Sequence, residues 1–244
     1  MYSPPAYPPP QEPDELDEVV YEEEPVVESE ERPRYRASGN DATFGYLIAI
    51  ALAVGLTPLL PANADMRYTV IWALMAGFGV LAWLLGGMTR IEQEAPEDLA
   101  WGVIFGLIIG APLLLIGGSI LATSVGLLFR SSVEGAILPM PPGVVLAYLV
   151  FAQPLAETLF FRGVLQETRP FWLVALLSTV WSLVLFAPML DLAKFPGVGI
   201  LVGVALVLMN VMYSYVRDRN GLAASWLCQI TVNIVLLFIP YLSA

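Results

Sequence analysis

The sequence predicts an all-α fold: a polytopic bundle of about seven transmembrane helices behind a disordered, acidic, proline-rich N-terminal tail. Three observations predict it. Hydrophobic residues make up 57% of the 244-residue chain and charged residues only 14%, against roughly a quarter charged in a soluble domain. The charge is crowded at one end: residues 1–41 hold 12 acidic and 3 basic residues, and the rest of the chain is nearly neutral. After Asp41 come seven apolar runs, each close to or above the ~20 residues that a helix needs to cross a bilayer.

The tail, residues 1–41, holds eight prolines, the run Glu22-Glu23-Glu24 and few large apolar groups. It cannot bury enough surface to offset the entropy of ordering, so it is expected to be disordered. Its first reading is a solvated segment, and its functional alternative is a tether for a basic partner surface. The opening Met1-Tyr2-Ser3-Pro4-Pro5 lacks the basic and apolar pattern of a cleavable secretory signal.

The second domain, residues 42–244, carries the apolar runs at 44–60, 69–88, 99–129, 143–166, 171–190, 196–216 and 221–243. The third run is the anomaly. As one helix it would be about 46 Å long at ~1.5 Å per residue, so it must tilt, kink near Pro112 or Gly117-Gly118, protrude, or hide a re-entrant turn. Gly102, Gly106 and Gly110 repeat at helical spacing in it, and Gly199 and Gly203 do so in the sixth run. Such small faces let helices approach closely in lipid.

Arginine and lysine set the orientation. With the tail inside, the cytoplasmic segments hold Arg32, Arg34, Arg36, Arg90, Arg169, Arg217 and Arg219, and the outer loops hold Arg67, Arg130 and Lys194. The expectation is a multi-pass plasma-membrane protein, N-terminus cytoplasmic and C-terminus outside. The bilayer and other membrane subunits are its expected partners, and nucleic acid is not.

Within the spans, the residues that lipid disfavours are Glu157, Arg162, Asn210, Gln229 and Asn233, with Gln153 and Thr158 nearby. A charge at mid-bilayer costs on the order of 2.5–3.5 kcal/mol on insertion scales and normally faces the bundle interior. Counting along the spans puts Glu157 roughly 14 Å, and Gln229 and Asn233 about 12 and 18 Å, from the same membrane face. Two spans thus bring polar groups to one depth. On an α-helix Arg162 would stand about 140° around from Glu157, so the two need not pair. Supporting the site and shaping the fold are both open roles for Arg162.

The chain has no histidine, and Cys228, its one cysteine, lies inside an apolar run. An intramolecular disulfide is ruled out. So is the commonest general base and metal ligand. One carboxylate without imidazoles or thiolates makes no metal site, and neither a metal nor a cofactor is expected.

The segment Glu157-Thr158-Leu159-Phe160-Phe161-Arg162-Gly163 resembles the first signature of the CAAX-protease and bacteriocin-processing (CPBP) family of intramembrane proteases. That signature is two glutamates, three residues, then arginine, commonly followed by glycine. Gln229-Ile230-Thr231-Val232-Asn233 has the spacing of the family's last signature, histidine with asparagine four later. Asn220-Gly221-Leu222 resembles the approach to that helix. The resemblance covers about residues 99–243.

It implies that Glu157, Arg162 and Asn233 are retained. The second glutamate is Thr158 and the second histidine is Gln229. The first histidine falls at Leu185, after Trp181, or at Leu190, after Phe186, with depth slightly favouring Leu185. In the family, the first glutamate and first histidine are held to activate water, and the second histidine and the asparagine to stabilise the oxyanion. Hydrolysis needs a base, a way to orient water and shuttle its proton, and oxyanion donors. Glu157 can serve as base, and Gln229 and Asn233 carry amide donors, but leucine supplies no hydrogen bond. The leading expectation is a degenerate family member acting as a binding or scaffold subunit. The alternatives are an active endopeptidase using Glu157, Gln229 and Asn233, and a transporter or channel component.

Overall fold

The computed structural model describes residues 39–60, 63–84, 95–133, 135–190 and 196–244. The disorder expected of the tail, and the loop charges Arg90 and Lys194, lie outside them. Among the described residues, seven helices are long and apolar enough to cross a membrane. They are α1 (Gly39–Leu59), α2 (Ala64–Leu84), α3 (Pro96–Leu128), α4 (Pro142–Thr168), α5 (Phe171–Met189), α6 (Pro196–Asn220) and α7 (Leu222–Leu242). The protein is a membrane helical bundle, and α1 takes up the last residues of the segment read as tail.

α3 is one uninterrupted helix of 33 residues that passes through Pro112. It therefore contains no re-entrant turn. Pro96 opens it, and Glu97 and Asp98 sit in its first turn, where acidic groups complement the helix dipole. The glycine face expected in α3 is the surface that meets α7. A Cβ placed on Gly102 would stand 2.2 Å from the Ala224 carbonyl oxygen, and one on Gly106 2.7 Å from the Thr231 Cβ. The second small-residue face differs: a Cβ on Gly203 would meet nothing within 4 Å, so Gly203 marks no close helix contact.

After α3 the chain makes an antiparallel hairpin, β1 (Arg130–Val133) with β2 (Ala136–Pro139), which the sequence reading did not anticipate. Its strands are four residues long and β2 is exposed throughout, too short to show a two-residue hydrophobic alternation. Gly135 in its turn adopts φ +85°, the left-handed region that glycine enters without steric cost.

The two helices with most of the polar residues are also the irregular ones. α4 widens into π-helical turns at Tyr148–Ala152 and Thr158–Leu165, and α7 does so at Ile234–Phe238. Two of these widenings sit just before Pro154 and Pro240. A proline has no N–H and its ring collides with the carbonyl four residues back. Lengthening the turn to i→i+5 relieves that collision, as in the bonds from Gln153 N–H to the Tyr148 carbonyl and Ile239 N–H to the Ile234 carbonyl. The segment Thr158–Leu165 has no proline.

Arg67, expected in an outer loop, instead lies in the early part of α2, fully buried. α2 begins five residues before the apolar run does, because Ala64-Asp65-Met66 is a serviceable helix start that hydropathy alone overlooks. Arg67 donates to the Leu185 carbonyl at the end of α5, where Pro188 sits in a tight closing turn, Ala187–Met189. The last carbonyls of a helix lack intrahelical partners, and a cation there complements the dipole. Arg67 thus caps α5 and no longer counts toward outer-loop charge.

The apolar core forms two clusters. One joins α1, α2, α4 and α5 around Tyr68, Trp72, Phe161 and Trp181. The other joins α6 and α7, with Phe105, Ile109 and Leu113 of α3 packed against it.

Candidate intramembrane polar site

Between these clusters lies a cavity of about 70 Å³, room for roughly two waters at ~30 Å³ each. α3, α4, α5, α6 and α7 all contribute to its wall. Its polar lining comes from Ser124, Gln153, Glu157, Ser182, Asn210, Tyr213, Gln229 and Asn233, and its apolar lining includes Leu128, Phe186 and Leu190. The polar groups that the sequence put at one depth on α4 and α7 face one another here.

Glu157 is the hub. Its side chain is 4% exposed and accepts four hydrogen bonds. Gln153, one helical turn before it, donates from Nε2 to both carboxylate oxygens at 3.3 Å. Gln229 of α7 donates to Oε2 at 2.6 Å, and the Trp181 indole of α5 donates to Oε1 at 3.2 Å. A carboxylate stripped of water is tolerated only when such donors replace it. None of these donors titrates near neutral pH.

The substituted positions belong to the same network. Thr158 donates to Gln229 Oε1 at 3.1 Å. Asn233 donates to the Leu149 carbonyl at 2.9 Å and to Gln153 Oε1 at 3.4 Å. The Leu149 carbonyl lies in the first widened turn of α4, where i→i+4 bonding is lost. Of the two leucines, Leu190 lines the cavity, in the register Ser182–Phe186–Leu190. Leu185 is buried away from it, its carbonyl taken by Arg67.

Arg162 heads a second branch. It is fully buried and donates to Asn210 Oδ1 at 2.8 Å and Ser178 Oγ at 3.5 Å. Its guanidinium lies 5.5 Å from the Phe161 ring centroid and 5.3 Å from that of Tyr213, a cation–π arrangement. The π-helical stretch alters the angular reckoning made for an α-helix, because i→i+5 bonding brings residues five apart roughly into line. Arg162 therefore faces the Glu157 side of α4, although no ion pair joins the two among the described residues. Asn210 in turn donates to Ser182 Oγ at 3.4 Å and the Leu206 carbonyl at 2.9 Å.

Ser178, Ser182, Trp181 and Tyr213 are participants that the sequence reading left without a role. Ser178 and Ser182 stand one turn apart on α5, and Asn210, Tyr213, Ser214 and Arg217 make an i, i+3, i+4, i+7 stripe on α6. That polar periodicity was the available signal. No group of three or more acidic or cysteine side chains able to hold a metal occurs among the described residues.

Comparison with known families places the geometry. The family model described as "Type II CAAX prenyl endopeptidase Rce1-like" matches residues 139–235. Those residues form an Rce1-like domain. No curated protein and no solved structure is matched by the chain. The Rce1-like domain runs from the end of the hairpin through α4, α5 and α6 to Val235 in α7, and so takes in every polar residue of the network. The CPBP resemblance read from Glu157–Gly163 and Gln229–Asn233 falls wholly inside it. The domain is part of a multi-pass membrane protein whose α1 and α2 lie outside the matched residues and do not line the cavity.

Proposed function

We propose that this protein is a proteolytically silent Rce1-like membrane protein that acts as a binding or scaffold subunit for other membrane proteins. One observation carries the reading: both oxygens of Glu157 are held by Gln153, Gln229 and Trp181, groups that donate a hydrogen bond but cannot exchange a proton. General-base attack by water needs a carboxylate free to take a proton and a partner to pass it on. The amides that an oxyanion hole would need already donate within the protein, Gln229 to Glu157 and Asn233 to the Leu149 carbonyl and Gln153.

The test is hydrolysis by the purified full-length chain in nanodiscs, with a prenylated peptide and an unmodified peptide as substrates. The expected result is no cleavage above that of Glu157→Ala. Cleavage that Glu157→Ala abolishes would overturn the reading.

The scaffold role is tested by mild-detergent co-purification of the protein with and without residues 1–41. A stoichiometric membrane-protein complex is expected, and dependence on the tail would give the acidic segment a basic partner. A lone monomer in both cases would overturn it. The orientation proposed is N-terminus cytoplasmic and C-terminus outside, in the plasma membrane, which terminal reporter fusions check. Arg169, Arg217 and Arg219 remain on the inner side of that scheme, and only Arg130 supports the outer count among the described residues.

A further inference from the structure

Nine buried side-chain polar atoms have no hydrogen-bond partner among the described residues, and five of them belong to four residues on facing stretches of α4 and α6. They are Nε and Nη1 of Arg162, Oε1 of Gln166, Oη of Tyr213 and Oγ of Ser214. The four residues are brought side by side by two hydrogen bonds and one cation–π contact between α4 and α6. Gln166 Nε2 donates to the Ser214 carbonyl at 2.8 Å, Arg217 Nε donates to the Arg162 carbonyl at 3.1 Å, and the Arg162 guanidinium lies over the Tyr213 ring. Arg162, Tyr213 and Ser214 are each at most 3% exposed. Buried donors and acceptors without partners are rare, because each forfeits its hydration.

The residues also form a series along α4 and α6. Tyr213 lines the cavity that holds Glu157. Arg162 and Ser214 lie beside it, and half-buried Gln166 follows at the end of α4, next to exposed Thr168. From Glu157 to Gln166 is nine residues along α4.

We infer that Tyr213, Arg162, Ser214 and Gln166 form an internal hydration site, a file of ordered waters joining the Glu157 cavity to the membrane face at the α4–α5 turn. The composition of the cluster selects the guest. Two guanidinium donors would repel a cation. An anion would leave the Gln166 oxygen unsatisfied and would face the Glu157 carboxylate. Neutral molecules that each carry two donors and two acceptors can between them serve all five atoms, the hydroxyls of Tyr213 and Ser214 turning to suit. Internal waters of this kind usually make about three such bonds. The inference is independent of whether Glu157 hydrolyses anything, since it concerns solvent reach and not proton transfer.

Radiolytic hydroxyl-radical footprinting of the full-length protein in nanodiscs, read by peptide mass spectrometry, tests it. Side chains beside ordered water are oxidised even when buried. Tyr213 is expected to be labelled several-fold faster than Tyr68, which is equally buried but donates to the Leu128 carbonyl. Gln166→Leu and Ser214→Ala should each cut the Tyr213 rate severalfold. Labelling of Tyr213 no faster than Tyr68 overturns the hydration site. Fast labelling that neither substitution changes overturns the file, because water would then enter from elsewhere.

Discussion

The Thr158 hydroxyl donates to Oε1 of Gln229, 3.1 Å away on another helix, and that bond decides which way the Gln229 carboxamide faces. With Oε1 held by Thr158, Nε2 turns to Glu157. Thr158→Val keeps the shape of the side chain and removes the donor. It should destabilise the protein by about 1–3 kcal/mol, the cost of an unsatisfied buried acceptor, measured by reversible unfolding in mixed micelles. An unchanged midpoint would show that Gln229 orients itself without Thr158.

Glu157→Gln tests the sign of the buried charge. If the carboxylate were an uncompensated ion, a neutral isostere would stabilise the fold. Donors from Gln153, Gln229 and Trp181 converge on it, and a carboxamide would set its own N–H group against one of them. The variant should lose about 1.5–3 kcal/mol, the range for bonds to a charged group. A gain in stability would contradict the network.

Gly102 and Gly203 make a matched pair. An alanine at 102 would drive its Cβ into the backbone of Ala224, whereas at 203 it meets open space. Gly102→Ala should cost about 1–3 kcal/mol through overpacking, and Gly203→Ala should be near neutral. Equal effects in the same unfolding assay would refute the α3–α7 contact.

Arg67→Leu should release the end of α5. The Leu185 carbonyl loses its cap, so amide exchange across the closing turn Ala187–Met189 should rise about tenfold or more, from a charged bond worth roughly 1.5–3 kcal/mol. Hydrogen–deuterium exchange with mass spectrometry reads this locally. Exchange confined to wild-type rates would assign Arg67 another role.

Span number, the common level of Glu157, Gln229 and Asn233, and the Gly102–Gly110 face were all legible in sequence. Each depends on a property that a bilayer enforces locally: length, insertion cost or close approach. The π-helical stretches were not legible, although Pro154 and Pro240 stood where the structure widens. A proline announces a lost bond and not the direction in which the helix yields. Arg67 was misplaced for a related reason. Hydropathy marks where a helix becomes apolar, and α2 starts earlier, with a cation that a neighbouring helix end can satisfy. Trp181 was seen only as a position in a motif, because indole is as ready to fill a core as to donate a hydrogen bond.

Gly221 is the sole residue between α6 and α7, and its φ of +94° is one that glycine alone takes cheaply. A link that short leaves no slack. Displacing α7 enough to swing Gln229 off Glu157 must drag the end of α6 with it, and with α6 go Asn210 and its hold on Arg162. The two branches of the polar network are therefore geared together, and whatever docks against either helix is felt at both.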